Sequence, residues 1–192
     1  MIFEDKKNIY FKASAAIITM MEIVTPLGPM LAGATSEGVC LLEFTNRIRL
    51  QQEMKDLKEA LHADTQPGRN AHLDQLEREL SEYFDGKRKV FSVPLHIPGT
   101  EFEKAVWTKL QEIPYGRTWS YKEQSVAMNN PKAIRAIAAT NGRNRLAIVI
   151  PRHPVIGSDG TMTGYAAGVD KKKWLLNFER SHSDAPVGQF QF

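Results

Sequence analysis

The residues with chemical potential in this chain crowd into one stretch, LAIVIPRHPVIGSDGTMTGY, from Leu146 to Tyr165. An apolar run, Leu146 to Ile150, leads into Pro151-Arg152-His153-Pro154 and out again through Val155-Ile156. The run reads as a buried strand, so a permanent cation and a titratable imidazole stand between two prolines where that strand ends. A guanidinium stays protonated (pKa above about 12) and only donates hydrogen bonds, so Arg152 can bind an acceptor but cannot attack an electrophile. Cys40 is the one cysteine, which rules out an intramolecular disulfide and every zinc pattern built on paired cysteines. His62, His72, His96, His153 and His182 lack metal-ligand spacing. No metal and no other cofactor is expected.

The elements that must position this loop belong to a chain of 192 residues, 42% hydrophobic, with room for one large domain or two small ones. The N-terminal MIFEDKKNIYFKASAAIITM has no long apolar run behind a basic start. Nothing approaches the ~20 apolar residues of a membrane span. The expectation is a cytoplasmic protein, nuclear in a eukaryote, with no membrane partner. MLAGATSEGVCLLEF reads as a hairpin turning at Ser36-Glu37-Gly38, with Cys40 a small buried hydrophobe in its second strand. Residues 50–63 and 73–84 carry the three-to-four-residue apolar spacing of amphipathic helices, the second ended by Asp85-Gly86. VFSVPLHI (90–97) reads as a connecting strand or extended linker.

The second half opens with a helix over 100–113, with Phe102, Val106 and Leu110 on one face, Trp107 beside it, and Thr100 and Glu103 as a capping box. Pro114-Tyr115-Gly116 breaks it. Ser120 and Glu123 form a second capping box, starting a short helix to about Met128. Asn129-Asn130 turns the chain, Asn130 caps the next helix with Pro131 in its first position, and that helix ends before Asn141-Gly142. Two short helices joined by a tight turn make a helix-turn-helix candidate. Ala133, Ala136, Ala138 and Ala139 leave the second helix smooth while Lys132 and Arg135 project from it. Such a helix can approach a groove wall closely and send a long cation into a base stack; close packing against a neighbour is the other reading. Charge is consistent with a polyanion partner and equally with chance surface charge: residues 1–98 hold 12 basic against 14 acidic side chains, residues 99–180 hold 13 against 7.

Together PLGPM, EYFDGKRKVFSVPL, GTEFEKAVWTKLQEIPYG, SYKEQ, NPKAIRAIAATNGRN, AIVIP, HPVIGSDGTMTGYAAG and KKKWLLNFE resemble the 6-O-alkylguanine-DNA alkyltransferases, in order and spacing from Val24 to Glu179. These suicide repair proteins move an alkyl group from a flipped guanine onto a cysteine in a Pro-Cys-His-Arg-Val loop. The resemblance implies that Pro151 and His153 match this loop, Arg152 stands at the cysteine position and Pro154 at that of the following arginine. It further implies that His153 is the histidine that deprotonates the thiol through a water, that Glu179 orients it, and that Asn144 braces the turn. Tyr121 is implied as the tyrosine on the phosphate beside the target nucleotide, and Arg135 as the finger filling the vacated stack. Lys132 and Arg143 flank it as DNA-contacting cations. Tyr165 and Ala166, with Gly164 and Ala167 around them, match the lesion-pocket wall and lid, with Val155 beside them. Arg145, where the family commonly has proline, is a further departure.

The fold so implied is α+β: a sheet-and-helix domain with its connection (1–98), a mainly helical DNA-binding domain with the helix-turn-helix (99–180), and a flexible tail (181–192). The expected function is recognition of alkylated guanine in double-stranded DNA without alkyl transfer, as in the alkyltransferase-like proteins, which lack the cysteine and flag lesions for other repair proteins. The alternative is a suicide methyltransferase whose nucleophile has been replaced. Three readings of Arg152 stay open: it lines the lesion pocket, it plugs the pocket by pairing with Glu179, or its site is degenerate. Lys171-Lys172-Lys173 read equally as phosphate contacts or a solvated helix start, and Trp107, Trp119 and Trp174 as packing residues.

Overall fold

The computed structural model describes residues 16–162, 165 and 167–183. It is a mixed α+β structure, with an N-terminal sheet unit followed by a helical unit. Strands β1 (Ala16–Thr25), β2 (Gly28–Ala34) and β3 (Val39–Phe44) form an antiparallel meander, and β4 (Ala63–Pro67) joins β1 in parallel, giving the order β3-β2-β1-β4. The hairpin of β2 and β3 was legible; β1 and β4 were not anticipated. Helix α1 (Leu50–Leu61) packs Leu57 with Ile18, Cys40 and Leu41 on one face of the sheet. Helix α2 (Ala71–Phe84) puts Leu73, Leu76, Leu80 and Tyr83 on the other, in a core that runs on into the helical unit.

All six residues of β3 are buried, although β3 is an edge strand. An open edge presents unpaired backbone groups that must be covered. Two segments share the task. The linker covers the first half, where Val39 N donates to Pro94 O and His96 N to Val39 O (2.8 and 2.9 Å). The second half is covered by the segment before the Pro-Arg-His-Pro loop, where Leu42 N donates to Arg145 O and Ala147 N to Leu42 O (both 2.8 Å).

In the helical unit α3 (Glu101–Leu110) starts at the Thr100–Glu103 capping box and buries Val106, Trp107 and Leu110, while Phe102 stays 37% exposed. A short parallel pair, β5 (Trp119–Ser120) with β6 (Val155–Ile156), ties the start of α4 (Tyr121–Ala127) to the far side of the Pro-Arg-His-Pro loop. The Ser120–Glu123 capping box begins α4 where expected. Helix α5 (Ile134–Gly142) follows, then α6 (Val169–Ser181). No helix among the described residues is long and apolar enough to cross a membrane.

Three expectations about local structure fail. Leu146–Ile150 is not a strand: only Leu146 bridges to Leu42, and the rest is a buried turn with Ile148 at φ 71°. A β-branched residue in the left-handed region costs on the order of 1–3 kcal/mol, so surrounding bonds must impose it. Asn144 supplies them, its Nδ2 donating to Ile150 O (2.8 Å) and its Oδ1 accepting from Leu146 N (2.9 Å). Helix α5 starts three residues later than expected, because Ala133 N closes a turn onto Asn130 O (3.0 Å) and Pro131 sits within that turn. The same helix continues through Gly142, held by Asn141, whose buried amide exchanges hydrogen bonds with Gln124 of α4 (2.7 and 3.2 Å). Trp174, expected to pack, is 38% exposed and stacks on Phe178 at 4.9 Å.

Candidate functional site

The turn fixed by Asn144 delivers Arg152 and His153 into the interior, 5% and 0% exposed. A buried guanidinium must be neutralised and hydrogen-bonded to be tolerated. Arg152 Nη1 donates to Asn144 O (2.7 Å), and Nη2 donates to both carboxylate oxygens of Glu43 (2.9 and 3.1 Å). The expected plug partner, Glu179, is therefore wrong. Glu43 reaches the loop because Leu42, its neighbour on β3, pairs with the backbone on either side of Leu146. Glu43 is fully buried and also accepts from Arg47 Nη1 (2.6 Å); Arg47 Nη2 bonds Glu53 and donates to Gly142 O at the end of α5 (2.9 Å). Burial pushes the Glu43 carboxyl up, against the pull of Arg152 and Arg47. The network thus crosses from the sheet unit into the helical unit at two points.

Glu179 has other duties. Its Oε1 accepts from His153 Nε2 (2.7 Å) and from the Tyr83 hydroxyl (2.8 Å), and its Oε2 from Gly116 N (3.4 Å). Burial alone would raise this carboxyl; His153, Tyr83 and Gly116 outweigh it and hold Glu179 below the usual carboxylate range. An ionised Glu179 can only accept, so His153 donates through Nε2. His153 Nδ1 is buried without a hydrogen-bond partner among the described residues.

Around the guanidinium, Tyr165 is 6% exposed, with its ring centroid 5.3 Å from Arg152 Cζ. Burial pushes its hydroxyl up to about 12. Neither that hydroxyl nor Arg152 Nε makes a hydrogen bond of ordinary geometry among the described residues. Val155, on β6, is buried and its carbonyl accepts from Lys172 Nζ (2.6 Å). Lys172 is thus neither a solvated lysine nor a surface phosphate contact: burial, then the charge of Arg152, bring it down to about 8. Lys171 lies 5.2 Å over the Phe44 ring and Lys173 is exposed. Ala166 and Gly164 lie outside the described residues, as does most of the tail, 184–192.

The DNA-side candidates sit elsewhere. Tyr121 opens α4 half-buried, and burial raises its hydroxyl despite Arg152. Arg135 is exposed on α5 beside Ala136 and Ala139, with Lys132 exposed just before the helix. Arg143, after α5, donates through Nε to Glu103 (2.7 Å) and through Nη2 to Thr140 Oγ1 (2.9 Å). Sequence reasoning missed Glu43, Arg47, Glu53, Tyr83 and the burial of Lys172. Glu43 had one available signal, a lone charge inside the otherwise apolar VCLLEF. Lys172 had another, since it shares the helical stripe of Leu175, Leu176 and Glu179.

Comparison with known proteins gives one answer along the chain. The family description "6-O-methylguanine DNA methyltransferase, ribonuclease-like domain" matches residues 21–97, and "6-O-methylguanine DNA methyltransferase, DNA binding domain" matches residues 101–181. The methylated-DNA–protein-cysteine methyltransferase of Methanosarcina barkeri is 39% identical over 163 residues, covering 83% of this chain and 96% of the relative. The constitutive one of Bacillus subtilis is 38% identical over 157 residues, covering 81% and 92%. Among solved structures, the O6-methylguanine methyltransferase of Mycobacterium tuberculosis superposes with a TM-score of 0.74 at 32% identity, covering 88% of this chain and 97% of that one. The same organism's enzyme in complex with DNA gives 0.71 at 31% identity, covering 88% and 96%.

Proposed function

The chain belongs to the 6-O-methylguanine DNA methyltransferase family, and from that premise we propose that it recognises O6-alkylated guanine in duplex DNA by nucleotide flipping but does not accept the alkyl group. What supports this reading is that Arg152 is ion-paired and buried, at the loop position that the sequence resemblance aligns with the family's acceptor cysteine. In that chemistry a thiolate sulfur attacks the alkyl carbon while the carbon–O6 bond breaks and the guanine leaves. A guanidinium has no lone pair for this displacement. Cys40 offers no substitute. It is 2% exposed in β3, its Sγ faces Gly33 O at 3.5 Å, and burial pushes the thiol up to about 12. A protonated, enclosed thiol is inert.

What recognition needs is retained. Tyr121, Lys132 and Arg135 stand on the helix-turn-helix face, and the exposed alanines of α5 let a groove come close. In the lesion pocket Arg152 is pinned through Nη1 and Nη2, while its Nε and the Tyr165 hydroxyl have no hydrogen bond of ordinary geometry among the described residues, and the guanidinium lies over the Tyr165 ring. Donors of this kind suit the acceptor edge of a flipped guanine. His153 and Glu179 then serve as a buried hydrogen-bonded pair under the pocket, and Val155 as pocket wall. Residues 99–180 form the DNA-binding domain on this reading, and the bound lesion is a flag for other repair proteins.

The test pairs binding with mass. A duplex with one O6-methylguanine is titrated against wild type and Arg135→Ala, and the incubated protein is weighed intact. The expected result is binding weakened about tenfold or more by the substitution, with no change in protein mass. Gain of one methyl group overturns the loss of transfer; equal affinity of wild type and variant overturns flipping.

A further inference from the structure

An open cleft of about 420 Å³ lies where the start of α1 faces the end of α5. From the sheet unit it is lined by Arg49, Gln52 and Asp56, and from the helical unit by Ala139, Gly142 and Arg145. On α5 the exposed residues Arg135, Ala136, Ala139 and Gly142 form one stripe that runs directly into this cleft. A strand lying along α5 would therefore continue into it.

Gly142 itself points to an outside visitor. It is helical, it has no left-handed φ, and a Cβ built on it meets nothing within 4 Å. Glycine in a helix costs up to about 1 kcal/mol relative to alanine, and neither backbone conformation nor packing inside this chain requires it. Bare backbone at that point leaves room for close approach. The charges around it select the visitor. Among the described residues, Arg49 is exposed with no ion-pair partner, and Arg145 has a buried Nε without a hydrogen-bond partner. Arg143 adds a third cation on the same lining, shared with Glu103. Of the acids on the lining, Glu53 is bound by Arg47, and Asp56 accepts from Gln52 at 2.7 Å.

We infer that this cleft is a phosphate site through which the N-terminal sheet unit joins the DNA interface, with Arg49 and Arg145 closing on the backbone of the strand that passes the end of α5. The inference rests on the DNA-binding reading above and extends it to a unit that carries no helix-turn-helix. A phosphate contact carries no sequence or lesion information, so its loss weakens every duplex alike and lowers the salt dependence by about one charge.

The experiment measures affinity for matched duplexes with guanine or O6-methylguanine across a salt series. Arg49→Ala is expected to weaken both about fivefold and to lower the slope of log affinity against log salt by about 1. Its side chain makes no capping bond, so the fold tolerates the change. Lys55→Ala removes the same charge from the same helix outside the cleft and is expected to change nothing. Asp56→Asn, which removes a like charge from the rim, is expected to strengthen binding about twofold. Arg49→Ala behaving like Lys55→Ala while Arg135→Ala still abolishes binding overturns the cleft alone. Indifference of binding to Arg135→Ala as well overturns the DNA reading on which it rests.

Discussion

Arg152 and Arg135 are the same side chain under opposite conditions. Arg152 is enclosed and held by a carboxylate from another part of the chain; Arg135 projects from a helix of small residues into solvent. A buried guanidinium is defined by the acceptors it must have, because without them its desolvation is uncompensated. An exposed one is defined by what its surroundings leave bare. The contrast teaches that a buried arginine at this loop is held by more than one residue. The pair Arg152–Glu43, with Arg47 behind it, is a matched set drawn from β3, the segment after it and the loop. A degenerate site would not be expected to supply both carboxylate oxygens and a backbone carbonyl to one arginine.

The strongest way to break this comparison is to remove Glu43. Glu43→Ala leaves Arg152 and Arg47 facing each other across a cavity, with only Glu53 to offset them. A cost of about 3–5 kcal/mol is expected from urea denaturation. Glu43→Leu combined with Arg152→Leu should recover most of that loss, since an apolar pair of similar volume avoids the buried charges. A single-variant loss below about 1 kcal/mol would mean that Arg152 is no more committed to its partner than Arg135 is.

Arg152→Cys comes next. It removes hydrogen bonds to a charged group, an expected loss of about 1.5–3 kcal/mol, less than for Glu43 because Arg47 still neutralises the carboxylate. The new thiol would stop short of Glu43 but still face it across the vacated space, and the field of that anion disfavours the thiolate. Intact mass after incubation with O6-methylguanine DNA should therefore show slow methyl gain in Arg152→Cys and faster gain when Glu43→Gln is added. Equal rates would show that Glu43 does not address position 152.

How far these features were legible follows from how local they are. Both capping boxes are written within four residues, and both helices start where those residues place them. Leu146–Ile150 misled because a short apolar run fits a buried turn as well as a buried strand. The difference lies in the Asn144 amide, which satisfies the backbone on both sides of the turn. Pro131 misled because proline is at home both in a helix's first turn and inside a β-turn. Arg152 could be recognised as needing an acceptor, but not that the acceptor lay 109 residues away on the edge strand. That pairing is set by which segment covers β3, a property of the tertiary structure that no local pattern encodes.

Lys172 sharpens the comparison from the other side, as a second buried cation near the first. Its amine titrates near 8 in the folded chain, against 10.5 for an ordinary lysine. The unfolded chain therefore holds the proton more firmly across that interval. Lys172 contributes stability that is fully present above about 10.5 and is lost as pH falls through about 8. Wild type minus Lys172→Met should accordingly rise with pH between those values, by no more than about 1.4 kcal/mol per unit, the slope one proton gives. A flat difference would mean that Lys172 is solvated, as Lys173 is.

The smallest expected effect is the one that completes the contrast. Arg135 makes no ion pair among the described residues and sits beside exposed alanines, so Arg135→Ala replaces a solvated side chain by the best helix former. Its unfolding free energy should change by less than about 0.5 kcal/mol, within the range of ordinary surface substitutions. Read together with the binding titration, a stable variant that holds DNA at least about tenfold more weakly would assign Arg135 to recognition, as Glu43→Ala would assign the η nitrogens of Arg152 to the fold. If Arg135→Ala instead unfolds the protein as readily as Glu43→Ala does, then α5 depends on that guanidinium internally. The two arginines would then no longer divide the labour between structure and recognition.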